Sequence, residues 1–104
     1  MSVYIILDIE VTDPTGYQDY LKLSGPSVAA HGGLFIVRGG AITTLEGDWQ
    51  PKRLVVIQFE SEAQAMGWYN SPEYQTAKAI RDRTAKSVAI VVDGYTVSIF
   101  GGVE

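Results

Sequence analysis

Apolar residues at Val3, Ile5, Leu7, Ile9 and Val11 alternate with Tyr4, Ile6, Asp8 and Glu10, a period of two that predicts a first strand over Val3–Val11. Two later runs, Leu54 to Phe59 and Val88 to Val92, are hydrophobic at both odd and even positions. Successive side chains of a strand point to opposite sides of the sheet, so a run without alternation needs cover on both faces. A chain of 104 residues supplies helices for one face. The pattern therefore predicts that another copy of the chain covers the other, giving a symmetric oligomer.

Between the strands the signals are those of helix starts and stops. Asp13-Pro14 offers a side-chain acceptor followed by a proline whose missing N–H costs nothing in the first turn. Tyr17, Tyr20, Leu21 and Val28 then fall on one face of a first helix, which Gly25-Pro26 is expected to kink or split before it ends at Gly32-Gly33. Leu34 to Val37 reads as strand two, with Gly39-Gly40 as a bulge or bend before a continuation from Ala41 to Leu45. Glu46-Gly47-Asp48 and Pro51 make a turn-rich loop, and strand three runs from about Arg53 to Phe59. Ser61 with Gln64 is a capping-box pair that opens a helix over Ala63–Tyr69. Ser71-Pro72 repeats the cap-then-proline signal for a segment from Pro72 to about Thr84, and strand four is Ser87 to Asp93. The order βαββαβ defines an α+β fold, a four-stranded antiparallel sheet with the helices on one face. Residues 1–94 form this domain. Residues 95–104 are a C-terminal extension whose alternation from Tyr95 to Phe100 suits an extra strand, at its own sheet edge or on a neighbour.

Composition narrows the partners. Eight basic and twelve acidic side chains leave a net charge of −4 with no basic stripe, which argues against nucleic acid and against an anionic membrane surface. The absence of cysteine removes disulfides, thiolate nucleophiles and thiolate metal ligands. The first strand is broken by Asp8 and Glu10 and is preceded by no basic segment, so it reads neither as a signal peptide nor as a membrane span, and a cytoplasmic address is the default expectation.

Several side chains are candidates for chemistry. The one histidine, His31, stands at the end of the first helix, either as a cap on its negative end or as a general base. Arg38, beside two glycines, presents a forked donor suited to a carboxylate or an enolate, or else is a solvated residue at a bulge. Trp68, Tyr69 and Tyr74 gather around a helix break and form either a pocket wall or a sealed corner of the core, and Tyr17 and Tyr20 could line the same cavity. Glu73, at a helix N-terminus, is expected to stay anionic, and its pairing with Arg81, two turns away, could only be long-range. Glu46 is the other carboxylate of interest. No metal cluster, dinucleotide fingerprint, phosphate loop or serine elbow is present, so no cofactor is implied.

Glu10-Val-Thr-Asp-Pro, His31-Gly-Gly, Arg38-Gly-Gly, Leu45-Glu-Gly, Arg53-Leu-Val-Val-Ile and the Ser71-Pro-Glu-Tyr-Gln segment with Trp68-Tyr before it resemble the bacterial family called domain of unknown function 1330, over about Val3 to Gly94. The resemblance implies a ferredoxin-like fold of the dimeric α+β barrel type, in which two sheets pack face to face. Relatives by fold include cofactor-free monooxygenases, muconolactone isomerases, haem-dependent chlorite dismutases and stress-responsive proteins, and fold alone does not transfer their activities. Two functions are therefore expected in competition. One is binding of a small carboxylate- or carbonyl-bearing metabolite, with Arg38 orienting the anion, Tyr17, Tyr20, Trp68, Tyr69, Glu73 and Tyr74 around it, and His31 or Glu46 as base for cofactor-independent oxygenation or isomerisation. The other is a non-catalytic stress or assembly module.

Overall fold

A computed structural model describes residues 2–95. Its elements are β1 (Val3–Val11), α1 (Pro14–Ala30), β2 (Leu34–Arg38), β3 (Leu54–Phe59), α2 (Glu62–Tyr69), α3 (Pro72–Thr84) and β4 (Ala85–Asp93). The sheet order is β2-β3-β1-β4, antiparallel throughout, with the two halves of the chain interleaved around the central β1 and β3.

Helix starts follow the side-chain caps. Asp13 Oδ1 accepts from Gly16 N at 3.1 Å, Ser61 Oγ from Gln64 N at 3.1 Å and Ser71 Oγ from Tyr74 N at 3.2 Å. The Ser71 hydroxyl also donates to the Trp68 carbonyl at 2.7 Å, so one side chain closes α2 and opens α3. At Ser61 the reciprocal half of the box differs from expectation: Gln64 Oε1 accepts from Glu60 N at 2.8 Å, one residue before the cap. Backbone bonds from Thr12 N and Asp13 N to the Thr84 carbonyl, 2.8 and 3.0 Å long, tie the start of α1 to the end of α3.

Two expectations are corrected. The first helix is not split at Gly25-Pro26, because α1 is continuous to Ala30. Pro26 and Lys22, whose carbonyl loses its partner, both lie on the exposed side where water can serve that carbonyl, while Ser24, Ser27 and Val28 dock inward. Strand two does not resume from Ala41 to Leu45. Gly39 turns the chain with φ of 75° and gives its N–H to the Leu54 carbonyl at 2.9 Å, and β3 begins at Leu54, so no strand remains for residues 41–45 to pair with. The bulge lies inside β2, between Phe35 and Val37, instead of at the glycines. The extra strand expected over Tyr95–Phe100 falls outside the described residues beyond Tyr95.

The odd positions of β1 are the floor of the core: Val3, Ile5, Leu7 and Ile9 are buried, register with Val55, Ile57 and Phe59 of β3, and meet Trp68 and Tyr74 from the helices. The even positions face away from all three helices. There Leu34, Gln58, Tyr4 and Val92 form one row across the sheet, and Val37, Val56, Ile6 and Ile90 the next. Val88 is 70% exposed and Ile90 59% on this side. The runs that lack alternation thus have one face covered by helices and one apolar face left bare by the described residues.

Candidate functional site

The same register that leaves one face bare builds a cavity on the other, between α1 and the β2 side of the sheet. Tyr17, Tyr20 and Ser24 of α1 form its roof, Phe35 and Arg38 of β2 its edge, and Arg53, just before β3, its far wall. Trp68 closes the inner end, its indole N–H held by Ser27 Oγ at 3.1 Å, while Ser27 in turn donates to the Ser24 carbonyl at 2.7 Å. The enclosed space is about 10 Å³, room for little more than one water.

Arg38 is the exposed part of this site. Its guanidinium carbon lies 4.0 Å above the Phe35 ring, and a β-carbon at Gly25 would stand 3.4 Å from its Nη2, so the side chain reaches from β2 across the cavity mouth to α1. Arg53 enters from the other side, its guanidinium 5.9 Å from the Tyr17 ring centroid and packed against Gly39, where any side chain would collide with it. The buried Tyr17 hydroxyl and Arg53 Nε have no hydrogen-bond partner among the described residues. Burial, then the neighbouring Tyr20, raises Tyr17 above the usual phenol range, with Arg53 and Arg81 acting in the opposite sense. Tyr17 is accordingly a neutral donor. Among the described residues the cavity wall contains no carboxylate and no imidazole.

Of the residues singled out from the sequence, Tyr17, Tyr20, Arg38 and Trp68 come together here. The others stand elsewhere. His31 caps α1, and its Nε2 lies 3.5 Å from Glu73 Oε2 on the outer surface. Glu73 is held below the usual carboxylate range, first by its own backbone N–H at the start of α3, then by the Ser71 hydroxyl and His31. Glu46 is exposed in the segment between β2 and β3. Tyr69 stacks on Trp68 and Tyr74 and borders a separate depression with Met66 and Ile90. Tyr74 is fully buried behind the wall.

Arg53 and Arg81 were not legible as site residues. A lone arginine ahead of a strand carries no spacing signal, and Arg53 reaches the cavity because β3 pairs with β1 so that Ile9 N bonds its carbonyl at 2.9 Å. Arg81 turns inward, and its Nη1 donates to the Tyr74 hydroxyl at 2.8 Å. Among the described residues no three His, Cys, Asp or Glu side chains gather to hold a metal, and no helix is long and apolar enough to cross a membrane.

The fold and this helix-to-sheet cavity define a ferredoxin-like α+β protein. The chain belongs to the family described as domain of unknown function (DUF1330), which it matches over residues 2–95. Among solved structures it is similar to a protein of unknown function from Rhodopseudomonas palustris, with 19% identity, a TM-score of 0.71, and 88% of this chain and 80% of that one covered. It is also similar to SnoaB, a cofactor-independent oxygenase from Streptomyces nogalater, with 12% identity, a TM-score of 0.63, and 92% and 95% covered. A dimeric ferredoxin-like protein of unknown function from Thermobifida fusca gives 19%, 0.62, 88% and 90%. No curated protein matches the chain.

Proposed function

We propose that this protein is a homodimer whose subunits each bind a small carboxylate- or carbonyl-bearing metabolite as its anion, head first into the cavity under Arg38. The observation that carries this reading is the pair of buried polar atoms, Tyr17 Oη and Arg53 Nε, that have no hydrogen-bond partner among the described residues, in a cavity whose described lining has two guanidinium groups and no acid. Buried donors left unsatisfied are destabilising, and an oxyanion supplies the acceptors they lack. The water-sized space takes one oxygen of the anionic head, and the rest of the ligand lies at the mouth beside the exposed Arg38.

A site made of donors alone favours the ionised form of an enolisable ligand, whose proton passes to solvent water at the exposed mouth beside Arg38. His31 and Glu46, placed outside the cavity, are not needed as bases in this reading. The resulting enolate is the electron-rich species that reacts with dioxygen or is reprotonated at another carbon, the common step of cofactor-independent oxygenation and isomerisation. The likeness to SnoaB agrees with that chemistry. The dimer is supported by the bare apolar sheet face and by the dimeric neighbour from Thermobifida fusca.

A thermal-shift series with benzoate, 2-oxo acids and hydroxyquinones tests the proposal, since a ligand of the native state raises apparent stability by mass action. At least one of these anions should raise Tm by several degrees, and Arg38→Ala should abolish the rise while its own Tm changes little. No shift with any anion would overturn the binding reading. The rival reading, a non-catalytic assembly module, rests on the bare sheet face alone and leaves the Tyr17 hydroxyl without a purpose.

A further inference from the structure

Arg81 is 3% exposed and makes no salt bridge among the described residues. A buried cation of this kind is costly unless something compensates it. Its Nη1 donates to the Tyr74 hydroxyl at 2.8 Å, and its Nε has no partner. The Tyr74 hydroxyl is in turn 2.9 Å from the Tyr20 hydroxyl.

Counting hydrogens gives the chain a direction. Arginine only donates, so Tyr74 oxygen accepts from Arg81. The Tyr20 oxygen is the one acceptor at hydrogen-bond distance among the described residues for the Tyr74 hydrogen, in a residue with no exposure, so donation from Tyr74 to Tyr20 leaves no buried hydrogen of Tyr74 unpaired. Tyr20 is thereby an acceptor from Tyr74, and its own hydrogen has no partner among the described residues. Tyr20 lines the cavity beside Tyr17. Burial foremost, then Tyr20, pushes Tyr74 well above the usual phenol range, so its hydrogen stays in place as a donor.

We propose that Arg81, which does not line the cavity, is a positioning residue that acts through Tyr74 on Tyr20, so that the Tyr20 hydroxyl is a polarised donor to a single-oxygen anion, an enolate or phenolate. This rests on the binding reading above and narrows its ligand class. Each hydroxyl in the row is polarised by the one behind it, and the buried charge of Arg81 gains an anionic counterpart only when the ligand is bound.

The probe is 4-nitrophenol, whose phenolate absorbs in the visible and whose neutral form does not, with nitrobenzene as the uncharged control. Wild-type protein should lower the apparent pKa of the bound probe by about one unit or more, a tenfold preference for the phenolate. Tyr20→Phe and the double variant Tyr74→Phe/Arg81→Met, which removes the relay without stranding a buried charge, should each lose most of that shift, the remainder coming from Arg38, Arg53 and Tyr17, and should weaken phenolate binding more than nitrobenzene binding. A double variant that keeps the spectral shift overturns the relay while leaving the binding reading intact. If that variant does not fold, as judged by circular dichroism, Tyr20→Phe decides: a retained shift overturns the relay. A wild-type protein that does not bind the phenolate, and is unaltered in this by Arg38→Ala, overturns both.

Discussion

A buried hydroxyl without a partner costs roughly 1–3 kcal/mol, and Tyr17, 3% exposed, carries one into the cavity. Tyr17→Phe keeps the ring contacts with Tyr20, whose centroid is 5.2 Å away, and removes the orphan oxygen. We predict that this variant is more stable than wild type by about 1 kcal/mol in denaturant unfolding and at the same time loses the anion-induced rise in Tm. A variant that is destabilised and still binds would show that the hydroxyl has a structural partner. Arg38, Tyr17, Tyr20 and Trp68 could be singled out in the sequence because a guanidinium beside two glycines and aromatics at helical spacing are local patterns, while Tyr69 and Tyr74, singled out on the same ground, stand outside the cavity. Arg53 and Arg81 were not, because what makes them part of the site is the β1–β3 register and the inward turn of α3, which no local pattern records.

At the scale of elements, caps and periodicity were the readable features. Asp13-Pro14, Ser61 and Ser71-Pro72 open the three helices as expected, since each motif satisfies its own first-turn N–H groups. The continuity of α1 through Pro26 and the end of β2 at Arg38 were not readable. Both depend on what lies alongside: water next to Lys22 in one case, the lack of a strand opposite residues 41–45 in the other. The turn at Gly39 joins this level to the site, because its positive φ and the Arg53 guanidinium against it leave no room for a side chain. Gly39→Ala should cost about 1 kcal/mol or more in stability and weaken anion binding further than its stability loss explains, as Arg53 is displaced from the wall. Unchanged affinity in that variant would detach Arg53 from the site. The start of α3 makes a pH prediction. Glu73 is depressed below its ordinary 4.5, so its contribution is complete above that value and is lost as the pH falls through the lower folded-state pKa. Glu73→Gln should flatten the acid side of a Tm-against-pH profile, and an unaltered profile would remove the helix-terminus interaction.

For the molecule as a whole, the sheet separates two roles. Its odd β1 positions and the helices enclose the cavity, while the even positions present rows of Tyr4, Ile6, Val56, Ile90 and Val92 that nothing among the described residues covers. Apolar rows of this kind on a small domain signal association, and two such faces packed together would shelter both. The segment between β2 and β3 adds to that side. Trp49 Nε1 donates to Asp8 Oδ2 at 2.9 Å and Lys52 N to Asp8 Oδ1 at 3.3 Å, which pins the segment to the open face and leaves Leu45 93% exposed. Self-association through this face was the expectation drawn from the unalternating runs, and a cavity was expected around the tyrosines and Trp68, whereas its place between α1 and the β2 side of the sheet, walled by Arg53, became visible only in the fold. Sedimentation equilibrium at micromolar concentration is the most direct measurement. The protein should sediment as a particle of twice its 11.3 kDa chain mass, and Ile90→Lys should reduce it to the single chain. A wild-type particle of 11.3 kDa, well behaved at that concentration, would contradict the account.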